Sequence, residues 1–263
     1  MKTEKSKMHF TDSYLINPTN PVSVNLIGAG GTGSKVMTAL MDMSQTMNAL
    51  GHSGLQVRLW DDDVVTQANL GRQRFAVSEL GLYKSVAIIN RINRWSGLNW
   101  KAETTKFQSS SEHAKASIYI SCVDNVATRF EIAQLLTNLE NTGYSRNRPL
   151  YWMDFGNSRY TGQVILSTIG TIQQPKSGQF DTVGNLPFIT QEFESLLRES
   201  EQMDDTPSCS LAEALEKQDL YINSTLADMG CSLLWKLFRN GMIDCRGFFL
   251  NLETFHAQAL KIT

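Results

Sequence analysis

Residues Val22–Trp60 constrain the fold more than any other stretch of the chain. Val22-Ser23-Val24-Asn25-Leu26-Ile27 is a short apolar run of buried-strand type, and it stops at Gly28-Ala29-Gly30-Gly31-Thr32-Gly33-Ser34. Ser34–Leu50 then carries Val36, Met37, Leu40, Met41, Met43, Met47 and Leu50, spacings that suit a helix packed on a sheet. Gly51 and Gly54 bracket its end, and Leu55–Trp60 reads as the next strand. Strand, glycine turn, helix, strand is a βαβ unit. In such a turn Gly28 permits the tight bend, Gly30 lets phosphate approach the backbone, and Gly33 lets helix and strand pack closely. The helix N-terminus presents unpaired N–H groups to an anion. The expectation is nucleotide binding, weighed against a turn that merely needed glycine. The motif alone does not distinguish NAD, FAD, SAM and ATP.

The alternation continues. Lys84–Trp95 reads as a helix ending near Gly97, Trp100–Phe107 and Ser117–Val123 as strands, and Thr128–Leu139 as a helix. Leu150–Phe155 and Gln163–Thr168 read as strands, and Gly170 to about Pro187 as a long loop. Helices are expected near Gln191–Glu201 and Tyr221–Phe238, with an acidic loop at Glu201–Thr206, and Phe248–Ile262 as a closing pair of strands. The predicted class is α/β: a Rossmann-like, doubly wound, mainly parallel sheet with a mixed, antiparallel C-terminal extension. Residues 1–20 form a polar arm whose Asn17-Pro18 and Asn20-Pro21 mark extended or turn backbone. Residues 21–263 are expected as a single domain.

Composition narrows the function classes. The 263 residues carry 24 basic and 26 acidic side chains, a net charge of −2. That balance argues against nucleic acid or an anionic membrane as partner. No run of about 18 apolar residues and no apolar signal core occurs, so a cytoplasmic protein is expected. Cys122, Cys209, Cys231 and Cys245 lie far apart with no CxxC pair, which predicts thiols and no zinc.

Asp61, Asp62 and Asp63 follow the second strand, where an acid can bind ribose hydroxyls. Taken alone they could be an acidic surface turn. In longer context, Asp61-Asp62-Asp63-Val64-Val65-Thr66-Gln67-Ala68-Asn69-Leu70-Gly71-Arg72-Gln73 resembles the D-x-D-x-V-x-x-x-N-L-x-R-Q signature of the ThiF/MoeB/HesA family, bacterial relatives of ubiquitin-activating enzymes. The glycine motif, Gly81-Leu82-Tyr83-Lys84, Cys122-Val123-Asp124-Asn125-Val126-Ala127-Thr128-Arg129 and the closing Phe249–Ile262 agree with it in order. Thr206–Trp235 resembles the ThiF-family proteins of PRTRC gene cassettes.

The resemblance implies ATP and Mg²⁺ as cofactors, and adenylation of the C-terminal carboxylate of a small ubiquitin-like or sulfur-carrier protein. Gly28, Gly30 and Gly33 would border the phosphates and Asp61 would bind the ribose. Asn69, Arg72 and Lys84 would contact phosphates with Gln73 in support, and Asp124 would hold Mg²⁺. Gly31, Asp63 and Asn125 complete the implied nucleotide-binding set. The chemistry fits these residue types: when a carboxylate attacks the α-phosphorus, charge builds on phosphate oxygens, and positioned cations matter more than a general base. A homodimer is implied as well. Cys209, in Thr206-Pro207-Ser208-Cys209-Ser210-Leu211, resembles the neighbourhood of the catalytic cysteine in eukaryotic activating enzymes and is the candidate for a thioester. A helix over Leu211–Lys217 would favour its thiolate, whereas Asp204, Asp205 and Glu213 would oppose it. An unreactive loop cysteine is the alternative.

Two departures stand out. The paired CxxC zinc site of many members is absent, and the first arginine is Arg58, so the N-terminal region has none to offer a neighbouring site. A nucleotide- and protein-binding scaffold without catalysis is therefore a second reading, and a nicotinamide-dependent oxidoreductase a third, supported by the glycine motif and Asp61. Further expectations are that Asp154 and Asn157 touch the substrate tail, and that residues 170–187 cross over it. The four histidines and the methionines of the first helix read as structural.

Overall fold

The computed structural model describes residues 5–70, 73–108, 110, 111, 113–140, 147–200 and 218–263. The strands are β1 (Lys7–Phe10), β2 (Val22–Ile27), β3 (Leu55–Trp60), β4 (Lys101–Glu103), β5 (Ile118–Ser121), β6 (Tyr151–Asn157), β7 (Thr161–Thr168), β8 (Asp181–Thr182), β9 (Met242–Ile243), β10 (Cys245–Asn251) and β11 (His256–Lys261). The helices are α1 (Ser13–Ile16), α2 (Gly31–Ala49), α3 (Lys84–Ser96), α4 (Val126–Leu139), α5 (Ile189–Glu192), α6 (Glu194–Ser200) and α7 (Ile222–Asn240).

Eight strands form one sheet in the order β11-β10-β7-β6-β5-β2-β3-β4. From β6 to β4 the neighbours are parallel; β7, β10 and β11 continue the sheet by antiparallel pairing. The fold is thus α/β, with a doubly wound parallel half and an antiparallel extension. Its central strands β2, β5 and β6 are buried on both faces because both faces are covered. Val24, Leu26, Val57, Ile118, Ile120 and Met153 pack with α2, α3 and α7 on one side. On the other side, Trp60, Tyr119, Trp152 and Ile165 pack with α4, α5 and α6. The methionines of α2 are core: Met37, Met41, Met43 and Met47 are all buried. Among the described residues no helix is long and apolar enough to cross a membrane.

Three segments differ from expectation for visible reasons. The strand expected over Trp100–Phe107 shrinks to Lys101–Glu103. The Trp100 indole N–H is held by the Leu55 carbonyl at 3.0 Å, while Phe107 turns to the opposite core against Trp60 at 5.3 Å between rings. The helix expected near Gln191–Glu201 breaks into α5 and α6 at Phe193, which stacks edge-on with Phe249 while Glu192 pairs with the buried Arg246. The loop 170–187 does not cross the substrate end. It leaves β7 where Ile169 N–H meets the Leu150 carbonyl, at the N-terminal ends of the parallel strands, and returns at Leu186 beside Thr168.

That lower end is closed by the N-terminal residues. β1 pairs with β8 on one side and β9 on the other. The Gln174 side chain takes the Phe10 N–H at 2.7 Å and donates to the Phe10 carbonyl at 3.0 Å. His9, fully buried, bonds the Val183 carbonyl at 2.7 Å and the Tyr151 hydroxyl at 2.9 Å. Its pKa is lowered by that burial, and the carbonyl contact opposes the shift. A chain segment read as polar is therefore an integral strand, because its polar groups find partners inside.

Candidate functional site

The strand order reverses direction between β2 and β5: the chain winds from β2 outward to β3 and β4, then returns to build β5 and β6. In doubly wound sheets the crevice beyond the carboxyl ends of such a pair is the ligand position. The glycine turn lies there. Gly28 has φ +97°, and a Cβ on it would meet the Cys122 carbonyl at 2.6 Å. A Cβ on Gly33 would sit 1.9 Å from the Gly28 carbonyl, so α2 can approach β2 this closely only with glycine. These two glycines bring the turn against Cys122 and Val123, which lead into Asp124.

Gly30 is different, since a Cβ there would meet nothing within 4 Å. Gly30 is also the N-cap of α2 and supplies no side-chain cap. Helix α4 makes the contrast: its N-cap Asn125 accepts the Thr128 N–H at 2.7 Å. Gly30 thus leaves open space at the start of α2, whose first turn has no side-chain cap, the arrangement that attracts an anion.

Charged groups flank this opening on both sides. On the β3 side, Asp61 accepts the Ala29 N–H on Oδ2 at 2.6 Å and the Asp63 N–H on Oδ1 at 3.0 Å. Burial pushes the Asp61 pKa up, while these N–H bonds and the Lys84 charge oppose the rise. Each carboxylate oxygen keeps a second lone pair for a hydroxyl donor. Lys84 opens α3, is 8% exposed, and holds its ammonium 2.7 Å from the Asp63 carboxylate. On the β5 side, Asp124 is exposed, and its carboxylate takes one long bond from the Asn125 amide at 3.4 Å.

Asn69 bends its Oδ1 back to the Thr66 N–H at 2.8 Å, closing a short helical turn over Gln67–Asn69. Gln73 is buried, and among the described residues its Oε1 has no hydrogen-bond partner. An acceptor buried without a partner carries a desolvation cost that a donor on an incoming ligand would relieve. Arg72 and Cys209 lie outside the described residues. The structure therefore brings Gly28, Gly30, Gly31, Gly33, Asp61, Asp63 and Lys84 together across the crevice from Asp124 and Asn125. Asn69 and Gln73 stand on the loop before α3.

These residues fit a nucleotide: an open backbone cradle for phosphates, a carboxylate held for ribose, and a lysine at the cradle's edge. Asp124 would hold Mg²⁺, which binds through one or two carboxylates plus substrate phosphates and neutralises phosphate charge. Among the described residues no group of three or more His, Cys, Asp or Glu gathers to hold a metal on protein ligands alone.

Asp154 is not a tail contact. It is 1% exposed, accepts from Arg129 Nε at 3.1 Å and from the Ser121 hydroxyl at 2.6 Å. Arg129 also donates to the carbonyls of Val123 at 2.7 Å and Phe155 at 3.1 Å, so the pair braces the loop that carries Asp124. Asn157 ends β6 with its Oδ1 3.4 Å from the Thr32 hydroxyl. Desolvation pushes the thiol pKa of Cys122 up and that of buried Cys231 up to about 12. Cys245 begins β10 at the lower end of the sheet, away from the cradle. The pairing of Arg129 with Asp154 and the role of Asn223 (below) were missed from sequence. One signal for the former was present: a carboxylate inside the apolar run Tyr151–Phe155 must be paired if buried.

Fold and site together define a doubly wound α/β protein with an uncapped helix start at its topological switch point. The chain belongs to the ThiF family, whose pattern matches residues 18–261. Among solved structures, E. coli MccB in complex with MccA is similar at TM-score 0.58 and 13% identity, over 95% of this chain and 66% of that one. PaaA is similar at TM-score 0.58 and 14% identity, over 92% of this chain and 64% of that one. MccB with ATP gives TM-score 0.55 and 13% identity, over 94% and 64%. The chain spans less than two thirds of the length of these neighbours. No curated protein sequence matches it.

Proposed function

We propose that this chain adenylates the C-terminal carboxylate of a small partner, a ubiquitin-like or sulfur-carrier protein or a shorter peptide, using ATP and Mg²⁺. The observation that carries the reading is the uncapped start of α2 at the switch point, open above Gly30, with Lys84 on one side and Asp124 on the other. The solved relatives support both substrates, since MccB has been seen with ATP and with the MccA peptide.

In this reading the N–H groups of Gly31–Gly33 and the Lys84 ammonium bind phosphate oxygens, and Asp61 orients the ribose. Arg72 follows Leu70 and Gly71 in the family signature and adds a second cation. The partner's carboxylate oxygen attacks the α-phosphorus, the bond to the bridging oxygen breaks, and pyrophosphate carries away the charge. Fixed cations and backbone dipoles stabilise that charge without reorganising. Transfer from the adenylate to Cys209 as a thioester, with AMP leaving, is a further step we assign to this chain; Gln218, the first described residue after that segment, lies at the cradle end. A homodimer is supported by the exposed apolar side chains of Val64, Val77, Leu80, Leu82 and Tyr83, clustered on the segment before α3. The affiliation with PRTRC-cassette ThiF proteins rests on Thr206–Trp235.

The test is exchange of labelled pyrophosphate into ATP, with Mg²⁺ and a partner bearing a free C-terminal carboxylate. Exchange that disappears when the partner is C-terminally amidated establishes adenylation. ATP binding without any exchange would replace this reading with the scaffold reading, which the lack of any arginine before Arg58 favours.

A further inference from the structure

We propose that Asn223 is a positioning residue that ties the phosphate cradle at the start of α2 to the Gln218 side chain. The inference rests on the ATP reading above and goes beyond the motif residues. Asn223 stands in the first turn of α7 and is 3% exposed. The Thr32 hydroxyl donates to its Oδ1 at 2.7 Å, and its Nδ2 donates to Gln218 Oε1 at 2.9 Å. A Cβ on Gly31 would lie 2.9 Å from Nδ2 and 3.1 Å from Oδ1. The third glycine of the motif therefore makes room for a protein amide, where Gly30 leaves room for a ligand.

Around it the α2–α7 contact is largely apolar, with Val36, Leu40, Leu226, Ala227 and Leu234 in one core cluster, and the charges of Lys35 and Asp228 interact across it. A buried amide in such a seam is tolerated because its bonds are made, and made bonds have direction where apolar packing has little. Thr32 and Gly31 are the first residues of α2, so the Thr32–Asn223 bond sets how the cradle N–H groups point. Asn223 also carries that constraint to Gln218, and Asp219 N–H is fixed in turn on the Arg159 carbonyl at 2.9 Å. An anion that orders the start of α2 must then order residues 218–222, and by reciprocity whatever displaces Gln218 must loosen the cradle.

Hydrogen–deuterium exchange of the full chain, with and without ATP·Mg, tests this. In the wild type, ATP should slow exchange both in residues 31–34 and in residues 218–222. Asn223→Ala should keep the first protection and lose the second. Its kcat in pyrophosphate exchange should fall about tenfold while KM for ATP stays within about threefold, the signature of lost positioning rather than lost binding. Thr32→Val cuts the same link from the other end without opening a cavity. The double variant should be no worse than Asn223→Ala alone, because that variant already removes the Thr32–Asn223 bond. Protection of residues 218–222 by ATP in Asn223→Ala, or in wild type protection at 31–34 alone, would overturn the coupling while leaving the ATP reading intact. No protection at residues 31–34 in the wild type would overturn the ATP reading and this inference with it.

Discussion

The two ends of the central sheet follow opposite rules. At the carboxyl ends of the parallel strands, α2 starts without a side-chain cap, Gly30 faces open space, Gln73 Oε1 is unpartnered and Asp124 is exposed. At the amino ends, polar groups are tied inward: His9 to Val183 and Tyr151, Gln174 to both backbone groups of Phe10, and Arg246 to Glu192 and the carbonyls of Leu166 and Pro187. One buried polar atom without a partner among the described residues stands at each end, Gln73 Oε1 at the open one and the Tyr14 hydroxyl at the closed one. The closed end ties the N-terminal strand to the sheet, and the open end is where the proposed chemistry is placed.

The comparison can be broken at the strut between the ends. Asp154→Ala leaves the Arg129 guanidinium buried and unpaired, and should lower stability by about 3–5 kcal/mol in chemical denaturation. If stability were unchanged, the brace under the Asp124 loop would not be one. At the open end, Lys84→Ala should cut pyrophosphate exchange by about 10²–10³-fold, the usual loss for one preorganised charge donor. Its melting temperature should move far less than that of Asp154→Ala, since the Asp63 partner is largely exposed.

The closed end predicts a pH dependence. His9 has a folded pKa lowered from 6.5, so the unfolded chain binds its proton more readily. The stability it protects is present above pH 6.5 and is lost as pH falls below it, by at most about 1.4 kcal/mol per pH unit. His9→Gln should flatten the limb of a stability profile below pH 6.5 and leave the neutral region shallowly lowered. A profile whose acid limb is the same with and without His9 would place that loss elsewhere. Gln174→Ala should have the smallest effect, about 1–2 kcal/mol of stability for three lost backbone partners, with exchange activity retained.

Legibility in the sequence followed the same division. The βαβ unit was readable because its strands, glycine turn and helix each have local causes: Val22–Ile27 and Leu55–Trp60 emerged with their expected bounds. Asp61 and Lys84 were readable from spacing within a specific motif. The closed end was not, since nothing local to His9 or Gln174 announces that residues about 170 positions apart will meet. The polar N-terminal stretch looked like an arm for that reason. Asn223 was hidden for a related one: its partners, Thr32 and Gln218, come together only when α7 packs against α2.

The most direct measurement is pyrophosphate exchange and thermal melting on one pair of variants, Asp124→Asn at the open end and Gln174→Ala at the closed end. Asp124→Asn should lose exchange with an unchanged melt, and Gln174→Ala should melt earlier with exchange intact. Exchange that survives Asp124→Asn and fails in Gln174→Ala would contradict the assignment of chemistry to the open end.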